Sequence, residues 1–138
     1  MLYFAYGSNL NHFQMKKRCK DSKFLKVINL NNFKLTFRSK YRAADIEVKK
    51  NSKVFGALFE ISKSDEKKLD LYEDFPNTYI KKYFKLLGKK VMFYYMPKKT
   101  TQTPPSRRYL NLIIQGYKDC GYKNNYIVIS RNKKIKVR

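Results

Sequence analysis

LYFAYGSNL, residues 2–10, is the stretch of sequence that decides the fold. Its first five residues are apolar or aromatic and carry no charge, which predicts a buried strand over residues 2–6. The Gly7-Ser8-Asn9 sequence that follows predicts a tight loop. Residues 11–19 then fit a short helix, with an asparagine available as its N-cap. The segment therefore predicts a strand that leads through a loop into a helix.

Four more strands are predicted further along the chain. Alternating apolar and polar residues predict a half-buried strand over residues 33–38, and a nearly continuous apolar run predicts another over residues 54–61. Strands over residues 79–87 and 90–96 follow, and their spacing suits a hairpin with a glycine-led two-residue turn at Gly88-Lys89. Strands outnumber helices, which is compatible with a curled sheet or a barrel.

Two further helices have recognisable signals at their ends. Ser62, followed three residues later by Asp65, has the pattern of a capping box for a helix over residues 63–73. Gly121 can end another helix, which is amphipathic because apolar side chains recur at i, i+3, i+4 and i+7, namely Leu110, Ile113, Ile114 and Tyr117. The order of strands and helices predicts an α+β (mixed α/β) domain.

Length and composition indicate one globular domain. The chain has 138 residues, of which 43% are hydrophobic, and this is too apolar for a disordered chain. There is no repeat or flexible linker, so we expect one domain over residues 1–130 and a basic C-terminal tail at residues 131–138. Because no apolar run is long enough to span a bilayer and no secretory signal is recognisable, we expect a cytoplasmic protein.

Cysteine and histidine usage argues against several kinds of site. Cys19 and Cys120 lie far apart in the sequence, so we expect two free, buried thiols in a reducing cytoplasm, although the sequence is also compatible with a disulfide. Structural zinc needs about four ligands, and His12 is the sole histidine. The same count argues against a histidine-based catalytic triad, and we expect His12 on the surface or on a helix face.

The formal net charge of +22 has two explanations. Clustered Lys and Arg side chains bind nucleic acid by releasing counterions from its phosphates. Alternatively, a biased composition spreads lysine over every surface. Basic residues occur almost everywhere from Lys16 to Arg138, which favours the compositional explanation and leaves polyanion binding open. The charge can also steer anionic substrates toward the protein.

Two features could carry chemistry. Gly7-Ser8-Asn9 lets the backbone approach a ligand closely, and its main-chain N–H groups could bind a carboxylate or an oxyanion, although such a turn is structurally ordinary. Glu73 ends a predicted helix among apolar and aromatic neighbours, where burial would raise its pKa. A carboxyl group with a pKa of roughly 6 or 7 can act as a general base and then as a general acid. A surface salt bridge is the structural alternative for Glu73.

Several segments occur in an order that is specific in combination. They are LYFAYGSNL at residues 2–10, AADI and VFGALFEI at residues 43–46 and 54–61, LDLYEDFPNTY at residues 69–79 and PSRRYL at residues 105–110. Together they resemble the γ-glutamylcyclotransferase-like (AIG2-like) family over about residues 1–127. In that family, the segment that corresponds to residues 69–79 surrounds the catalytic glutamate, which falls on Glu73 here.

The resemblance implies a small mixed β-barrel with flanking helices, which releases 5-oxoproline from γ-glutamyl amides without a metal or an organic cofactor. The substrate's own α-amine attacks its γ-carbonyl, so one carboxylate can manage both proton transfers. By resemblance, Glu73 is that general acid/base. The implied substrate-binding residues are Tyr109, for which core packing is the alternative, and the loop residues Tyr6, Gly7, Ser8, Asn9 and Leu10.

The chain departs from the family pattern at two positions. Asp74 stands where glycine commonly follows the catalytic glutamate, and Lys20 stands where proline often follows the cysteine. An aspartate beside Glu73 could shift the pKa of that carboxyl further or simply face solvent.

The expected partner is a small-molecule γ-glutamyl substrate, with no membrane partner. Free γ-glutamyl amino acids, γ-glutamyl amines, glutathione and a γ-glutamyl protecting group are all compatible with the sequence, and residues 98–103 are expected near the leaving group. Two other functions stay open. One is a nucleic-acid or polyanion-binding protein that uses the same fold, and the other is a non-catalytic interaction protein.

Overall fold

The computed structural model describes residues 1–122 and, beyond them, the backbone of two short strands. The helices and strands of these residues alternate along the chain. In chain order they are β1 (Leu2–Ala5), a 3₁₀ turn (Ser8–Leu10), α1 (His12–Arg18), β2 (Lys23–Arg38), β3 (Ala43–Glu60), α2 (Lys63–Tyr72), β4 (Ile80–Leu86), β5 (Lys89–Tyr95), α3 (Arg107–Asp119), β6 (Tyr126–Val128) and β7 (Lys134–Lys136).

Five of the strands form one mixed sheet in the order β2-β3-β1-β5-β4. The central strand, β1, is antiparallel to β3 and parallel to β5. β2 and β3 form a long antiparallel hairpin, and β4 and β5 form a shorter one. A mixed sheet accompanied by three α-helices in the described residues confirms the predicted α+β class.

The sheet is open in the part of the chain that the structure describes, so the predicted barrel is correct only in the loose sense of a curled sheet. There, β4 pairs only with β5, and β2 has one pairing beyond its hairpin, an isolated bridge between Arg38 and Gln102. Two bulges interrupt the register of β2 against β3. Bulges bend a strand and increase its twist, so they curve the long hairpin without joining it to β4.

β1 occupies the centre of the sheet because its side chains are apolar on both faces. Phe4 and Ala5 are fully buried. Opposite them, a Cβ atom at Gly56 would lie 2.4 Å from the Ala5 carbonyl oxygen and 2.5 Å from the Phe4 ring. The main chains of β1 and β3 therefore approach each other at a distance that only glycine permits at this position.

Side chains cap the first two helices. Asn11 Oδ1 accepts a hydrogen bond from Gln14 N at 3.1 Å at the start of α1. Ser62 and Asp65 form the predicted capping box, each accepting a hydrogen bond from the main chain of the other at the start of α2. Since α2 ends at Tyr72, Glu73 is its C-cap residue.

α3 packs across the 3₁₀ turn. Gly121 has φ 89°, and Gly121 N donates to Lys118 O at 3.0 Å, which confirms the predicted glycine signal at the end of this helix. A Cβ atom at Gly116 would lie 2.5 Å from Asn11 N and 2.6 Å from the carbonyl carbon of Leu10. The helix backbone thus contacts the backbone of the turn directly.

The β4–β5 turn lies one residue earlier than predicted. Leu86 pairs with Lys89, so the two turn residues are Leu87 and Gly88, and the prediction of Gly88-Lys89 is wrong. Leu87 and Gly88 have φ values of 50° and 79°, as a type I′ turn requires. The opposed pairs of apolar side chains along the two strands decide this register, because a slip of one residue would turn them to the other face.

The C-terminal strands pair with each other, β6 antiparallel to β7. β7 lies within the predicted basic tail at residues 131–138. Residues 131–133 and 137–138 of that tail lie outside the described residues, and the domain boundary after residue 130 stays a prediction.

Both cysteines are buried free thiols, as predicted. Cys19 Sγ lies 3.7 Å from Asp65 O, and Cys120 Sγ lies 3.5 Å from Leu10 O. Among the described residues, no helix combines the length and the apolar character that crossing a membrane would take.

Replacing Gly56 with alanine should lower the free energy of unfolding by about 2 kcal/mol or more, because the added Cβ atom would overlap β1. Chemical denaturation measures this change. Lys53→Ala, at an exposed position of the same strand, is the control and should change the free energy by no more than about 0.5 kcal/mol. Equal stability of Gly56→Ala and the wild type would contradict the close approach of β1 and β3.

Candidate active site

A cavity of about 390 Å³ opens beside the loop that follows β1. Side chains from β1, β3, β5, the end of α2 and the first turn of α3 also reach it. Tyrosine dominates its lining, with Tyr3, Tyr6, Tyr41, Tyr72, Tyr79, Tyr94 and Tyr109. The remaining lining residues are Gly7, Ser8, Asn9, Ala43, Ala44, Glu73, Asp74 and Thr78.

Gly7 allows the loop to lie directly against β3 and α3. A Cβ atom at Gly7 would be 3.1 Å from Ala44 Cβ and 3.5 Å from the Tyr109 hydroxyl oxygen. The first of these distances is shorter than an ordinary carbon–carbon contact, so a larger residue would push the loop away from its neighbours. Glycine therefore fixes the position of the loop relative to the cavity wall.

The 3₁₀ turn leaves main-chain donors beside the cavity. Leu10 N donates to Gly7 O, and Asn11 N donates to Ser8 O. The N–H groups of Ser8 and Asn9 come first in the turn, and neither makes a hydrogen bond within the described residues. Such unpaired N–H groups can bind a carboxylate or an oxyanion.

Glu73 brings a carboxyl group to the cavity from the C-cap position of α2. It is partly buried, and its Oε1 lies 3.5 Å from Asn9 Nδ2. Removal from water raises the pKa of this carboxyl from 4.5 to about 7, and the charge of Arg18 opposes the rise. Glu73 forms no salt bridge within the described residues. A carboxyl group with this pKa can take up and return a proton near neutral pH.

Asn9 connects Glu73 to two other side chains. Its Nδ2 donates to the Tyr3 hydroxyl oxygen at 2.9 Å and to Glu73 Oε1 at 3.5 Å. Its Oδ1 accepts a hydrogen bond from Arg18 Nη1. Because Asn9 is only 3% exposed, these partners satisfy the amide on both sides.

Three of the cavity tyrosines already donate their hydroxyl hydrogens to fixed acceptors. Tyr6 donates to the carbonyl oxygen of Tyr94 at 2.8 Å, and Tyr79 donates to the carbonyl oxygen of Ala44. The Tyr94 hydroxyl donates to Asp70 Oδ1 at 2.6 Å. These three hydroxyl groups hold the cavity wall together.

Tyr3 and Tyr109 are oriented differently. The Tyr3 hydroxyl accepts from Asn9 Nδ2, and the Tyr109 hydroxyl accepts from Ala44 N at 3.0 Å. A tyrosine hydroxyl has one hydrogen to donate, and in the part of the chain that the structure describes neither hydrogen has an acceptor. Burial raises the pKa of both phenols, so each keeps its hydrogen at neutral pH.

Six of the seven residues named from the sequence line this one cavity, namely Glu73, Tyr6, Gly7, Ser8, Asn9 and Tyr109. Leu10 does not. Its side chain is fully buried at the end of the 3₁₀ turn, where the absence of a side chain on Gly116 leaves room for it. The roles of these residues in binding and catalysis stay predictions.

Tyr3 and Tyr94 are cavity residues that the sequence pattern did not reveal. Tyr3 and Tyr94 each follow and precede apolar or aromatic residues, so both are indistinguishable from core residues in the sequence. The signal that could have identified them is the hydroxyl group itself, because a tyrosine hydroxyl in a buried strand needs a hydrogen-bond partner.

Asp74 faces solvent, which is the second of the two alternatives that the sequence left open for this residue. It has φ 51°, a left-handed conformation that glycine adopts freely and that aspartate tolerates better than most residues. Its carboxylate accepts hydrogen bonds from Thr78 Oγ1 at 2.8 Å and Asn77 Nδ2 at 3.3 Å, which lower the pKa of Asp74. The position thus requires a residue that tolerates positive φ, and aspartate meets this requirement.

His12 lies away from the cavity. It starts α1 and packs its ring 5.0 Å from that of Phe24, as expected for a helix-face residue. Within the described residues, no group of three or more His, Cys, Asp and Glu side chains could hold a metal ion.

Comparisons with known proteins agree with this geometry. The family model of γ-glutamyl cyclotransferase, AIG2-like proteins matches residues 3–111. A solved structure described as a γ-glutamyl cyclotransferase is 29% identical, covers 89% of this chain and 81% of its own, and has a TM-score of 0.76. An uncharacterized protein from Homo sapiens is 28% identical over 88% of this chain and 80% of its own, with a TM-score of 0.74. None of the curated proteins gives a match.

The open mixed sheet, its three helices and the cavity beside the loop define a domain of the γ-glutamyl cyclotransferase-like class. The matched region includes both the loop after β1 and Glu73. The chain belongs to the γ-glutamyl cyclotransferase, AIG2-like family. Family and fold together indicate γ-glutamyl cyclotransferase-like activity.

Glu73→Gln should stabilise the protein at neutral and alkaline pH. Between pH 4.5 and about 7, the folded protein binds more protons at Glu73 than the unfolded chain does, so the wild type loses stability as the pH rises through this interval. Glutamine cannot ionise, so the variant should gain about 3 kcal/mol relative to the wild type by pH 8 and nothing below pH 4.5.

Denaturation at a series of pH values measures the difference. Glu60→Gln removes an exposed carboxyl at the end of β3 and serves as the control. Stability curves of Glu73→Gln and wild type that run parallel from pH 4.5 to 8 would show that the Glu73 carboxyl ionises as it does in water.

Proposed function

We propose that this protein cyclises γ-glutamyl compounds, releasing 5-oxoproline and a free amine or amino acid, with Glu73 as the general acid/base. The observation that carries the proposal is a partly buried carboxyl with a pKa of about 7, which shares its cavity with a loop of unpaired N–H donors. The family match supports the same reaction.

The reaction requires proton transfer from the attacking nitrogen and proton transfer to the leaving nitrogen, both within one cavity. The substrate's α-ammonium group must lose one proton before its nitrogen attacks the γ-carbonyl carbon and closes a five-membered ring, and the ring nitrogen then releases a second proton to solvent. As the tetrahedral intermediate collapses, the bond from the γ-carbon to the leaving nitrogen breaks, and that nitrogen needs a proton. A single carboxylate beside both nitrogens can take the first proton and deliver it to the second.

Glu73 is suited to this task by its pKa. A carboxylate with an ordinary pKa near 4.5 would be too weak a base to remove a proton from an ammonium group efficiently at neutral pH. Burial without an ion-pair partner makes the Glu73 carboxylate more basic. The same carboxyl, once protonated, is still acidic enough to protonate the departing amine.

The loop from Tyr6 to Asn9 would hold the glutamyl portion of the substrate. The unpaired N–H groups of Ser8 and Asn9 suit the glutamyl carboxylate or the oxyanion that forms on the γ-carbonyl oxygen. Tyr109 would donate its hydroxyl hydrogen to the same substrate. Groups that are fixed before the substrate arrives need no rearrangement during the reaction, which is the main source of their catalytic effect.

The cavity is also of the right size. A volume of about 390 Å³ lies at the lower end of the range of small-molecule sites and suits a glutamyl group with a modest leaving group. Because the attack is intramolecular, binding that folds the substrate so that its amine meets its γ-carbonyl removes much of the entropic barrier.

Release of 5-oxoproline from a panel of γ-glutamyl amino acids, γ-glutamyl amines and glutathione tests the proposal. The wild type should turn over at least one of them, and Glu73→Gln should lower kcat by about 10²- to 10⁴-fold, the usual effect of losing a general acid/base. Glu60→Gln, which removes an exposed carboxyl, should retain full activity.

Circular dichroism would establish that all three proteins are folded. A folded wild type that releases 5-oxoproline from no compound of the panel would contradict the proposal, and salt-sensitive binding of a polyanion would then identify the rival function. Full activity of Glu73→Gln would be compatible with the proposed reaction and would show that Glu73 is not its general acid/base.

The pH dependence provides an independent prediction. If Glu73 must be ionised to accept the proton from the α-ammonium group, kcat/KM should fall below about pH 7, because the carboxyl becomes protonated there. Initial rates between pH 5 and 9 on the best substrate measure this profile. An activity that stays constant down to pH 5 would show that the reacting group has an ordinary carboxyl pKa or is not a carboxyl.

A further inference from the structure

Arg18 lies behind the loop and outside the cavity lining, at the last residue of α1. Its Nη1 donates to Asn9 Oδ1 and lies 3.5 Å from Ser8 Oγ. The guanidinium group therefore contacts the side chains of both polar loop residues from outside the cavity lining.

The guanidinium group is held in place from two further directions. Its Nη2 donates to Gln14 Oε1 at 3.1 Å, and its Cζ lies 3.6 Å from the centroid of the Tyr72 ring. Tyr72 in turn exchanges a hydrogen bond with Ser8 Oγ at 3.2 Å. A planar group stacked on a ring and bonded along its edge has little freedom to rotate.

This arrangement decides which way the Asn9 amide faces. A guanidinium group has only donors, so the amide must turn its oxygen toward Arg18. The amide nitrogen then points to the other side, where it donates to Tyr3 and to Glu73 Oε1. An ionised carboxylate has only acceptors, so it requires this same orientation. If the amide were flipped, its nitrogen would face the donors of Arg18 and its oxygen would face the carboxylate of Glu73, so neither hydrogen bond could form.

We propose that Arg18 is a positioning residue, which fixes the Asn9 amide toward Glu73 and holds the Ser8 side chain, so that the loop is set for substrate before it binds. The inference rests on the proposed function and extends it to a residue outside the cavity. Without Arg18, the Asn9 amide can rotate and the Glu73 carboxylate loses a defined donor. Arg18 also brings a positive charge that favours the ionised form of Glu73.

The alternative is that Arg18 only stabilises α1. Cations in the last turn of a helix interact favourably with its dipole, and Lys16 and Lys17 occupy the same turn. Lys17 is exposed and therefore provides a matched control, because Lys17→Met removes one positive charge from the same helix end. A helix-dipole role predicts similar effects for Arg18→Met and Lys17→Met.

A double-mutant cycle on the 5-oxoproline assay tests the connection through Asn9. Arg18→Met should lower kcat/KM by about tenfold, since small displacements of positioned groups have effects of this size or larger. In the Asn9→Ala background, Arg18→Met should lower it less than about twofold further, because the amide that it orients is gone. Lys17→Met should leave kcat/KM unchanged. Equal effects of Arg18→Met in both backgrounds would overturn the proposal.

Titration of the Glu73 carboxyl by ¹³C NMR adds a measurement that does not need turnover, with the signal assigned from Glu73→Gln. Arg18→Met should move the titration midpoint to higher pH, because the opposing charge is lost, and Lys17→Met should leave it in place. An unchanged midpoint in Arg18→Met would contradict the proposal. If no γ-glutamyl compound is cyclised, the proposed function fails, and this titration still decides whether Arg18 acts on Glu73.

Arg18→Lys separates charge from geometry and serves if Arg18→Met does not fold. Lysine keeps the positive charge and lacks the planar fork that contacts Asn9, Ser8 and Gln14 together. The Glu73 midpoint should therefore stay close to that of the wild type, while kcat/KM falls. Wild-type kcat/KM in Arg18→Lys would show that the orientation of the Asn9 amide does not depend on the guanidinium group.

Discussion

The segment from β1 to α1 packs against its neighbours through three glycines, at which a Cβ atom would overlap or crowd the atoms opposite. Gly56 lies against the main chain of β1, and Gly116 lies against the backbone of the 3₁₀ turn. Gly7 contacts Ala44 and Tyr109. Backbone groups in direct contact can move only if whole strands or helices move with them. The position of the loop therefore follows from the packing of the domain, and so does the position of the N–H groups that border the cavity.

Next to this loop, the partly buried Glu73 carboxyl forms no salt bridge within the described residues. The chain has 32 Lys and Arg residues and only 10 Asp and Glu residues, so basic side chains that could pair with a carboxylate are abundant. Lys81 pairs with Glu66 and Asp70, Lys99 pairs with Asp45, and the side chains that line the cavity with Glu73 are mostly tyrosines. Arg18 acts on Glu73 through its charge, and its hydrogen bonds go to the loop and to Gln14. Burial without a salt bridge in the described residues raises the pKa of the Glu73 carboxyl to about 7.

The sequence was informative wherever a local signal sufficed. The capping box of Ser62 and Asp65 and the helix-ending Gly121 are spaced within one turn, and both predictions are confirmed. Whether the sheet closes depends on pairing between strands far apart in the chain, which no local pattern contains. The β4–β5 turn was misplaced by one residue because apolar pairing across the hairpin outweighed the glycine signal. The sequence did not predict a role in the site for Tyr3 or Arg18, because the role of each depends on its contact with Asn9.

The most direct test of the account is a crystal structure of Glu73→Gln with an intact γ-glutamyl substrate. We expect the glutamyl carboxylate to lie at the loop, at the N–H groups of Ser8 and Asn9. We also expect the α-amine to lie within about 3 Å of the residue 73 side chain, the distance that proton transfer requires. A substrate bound outside this cavity, or bound inside it with its α-amine turned away from residue 73, would contradict the role assigned to Glu73.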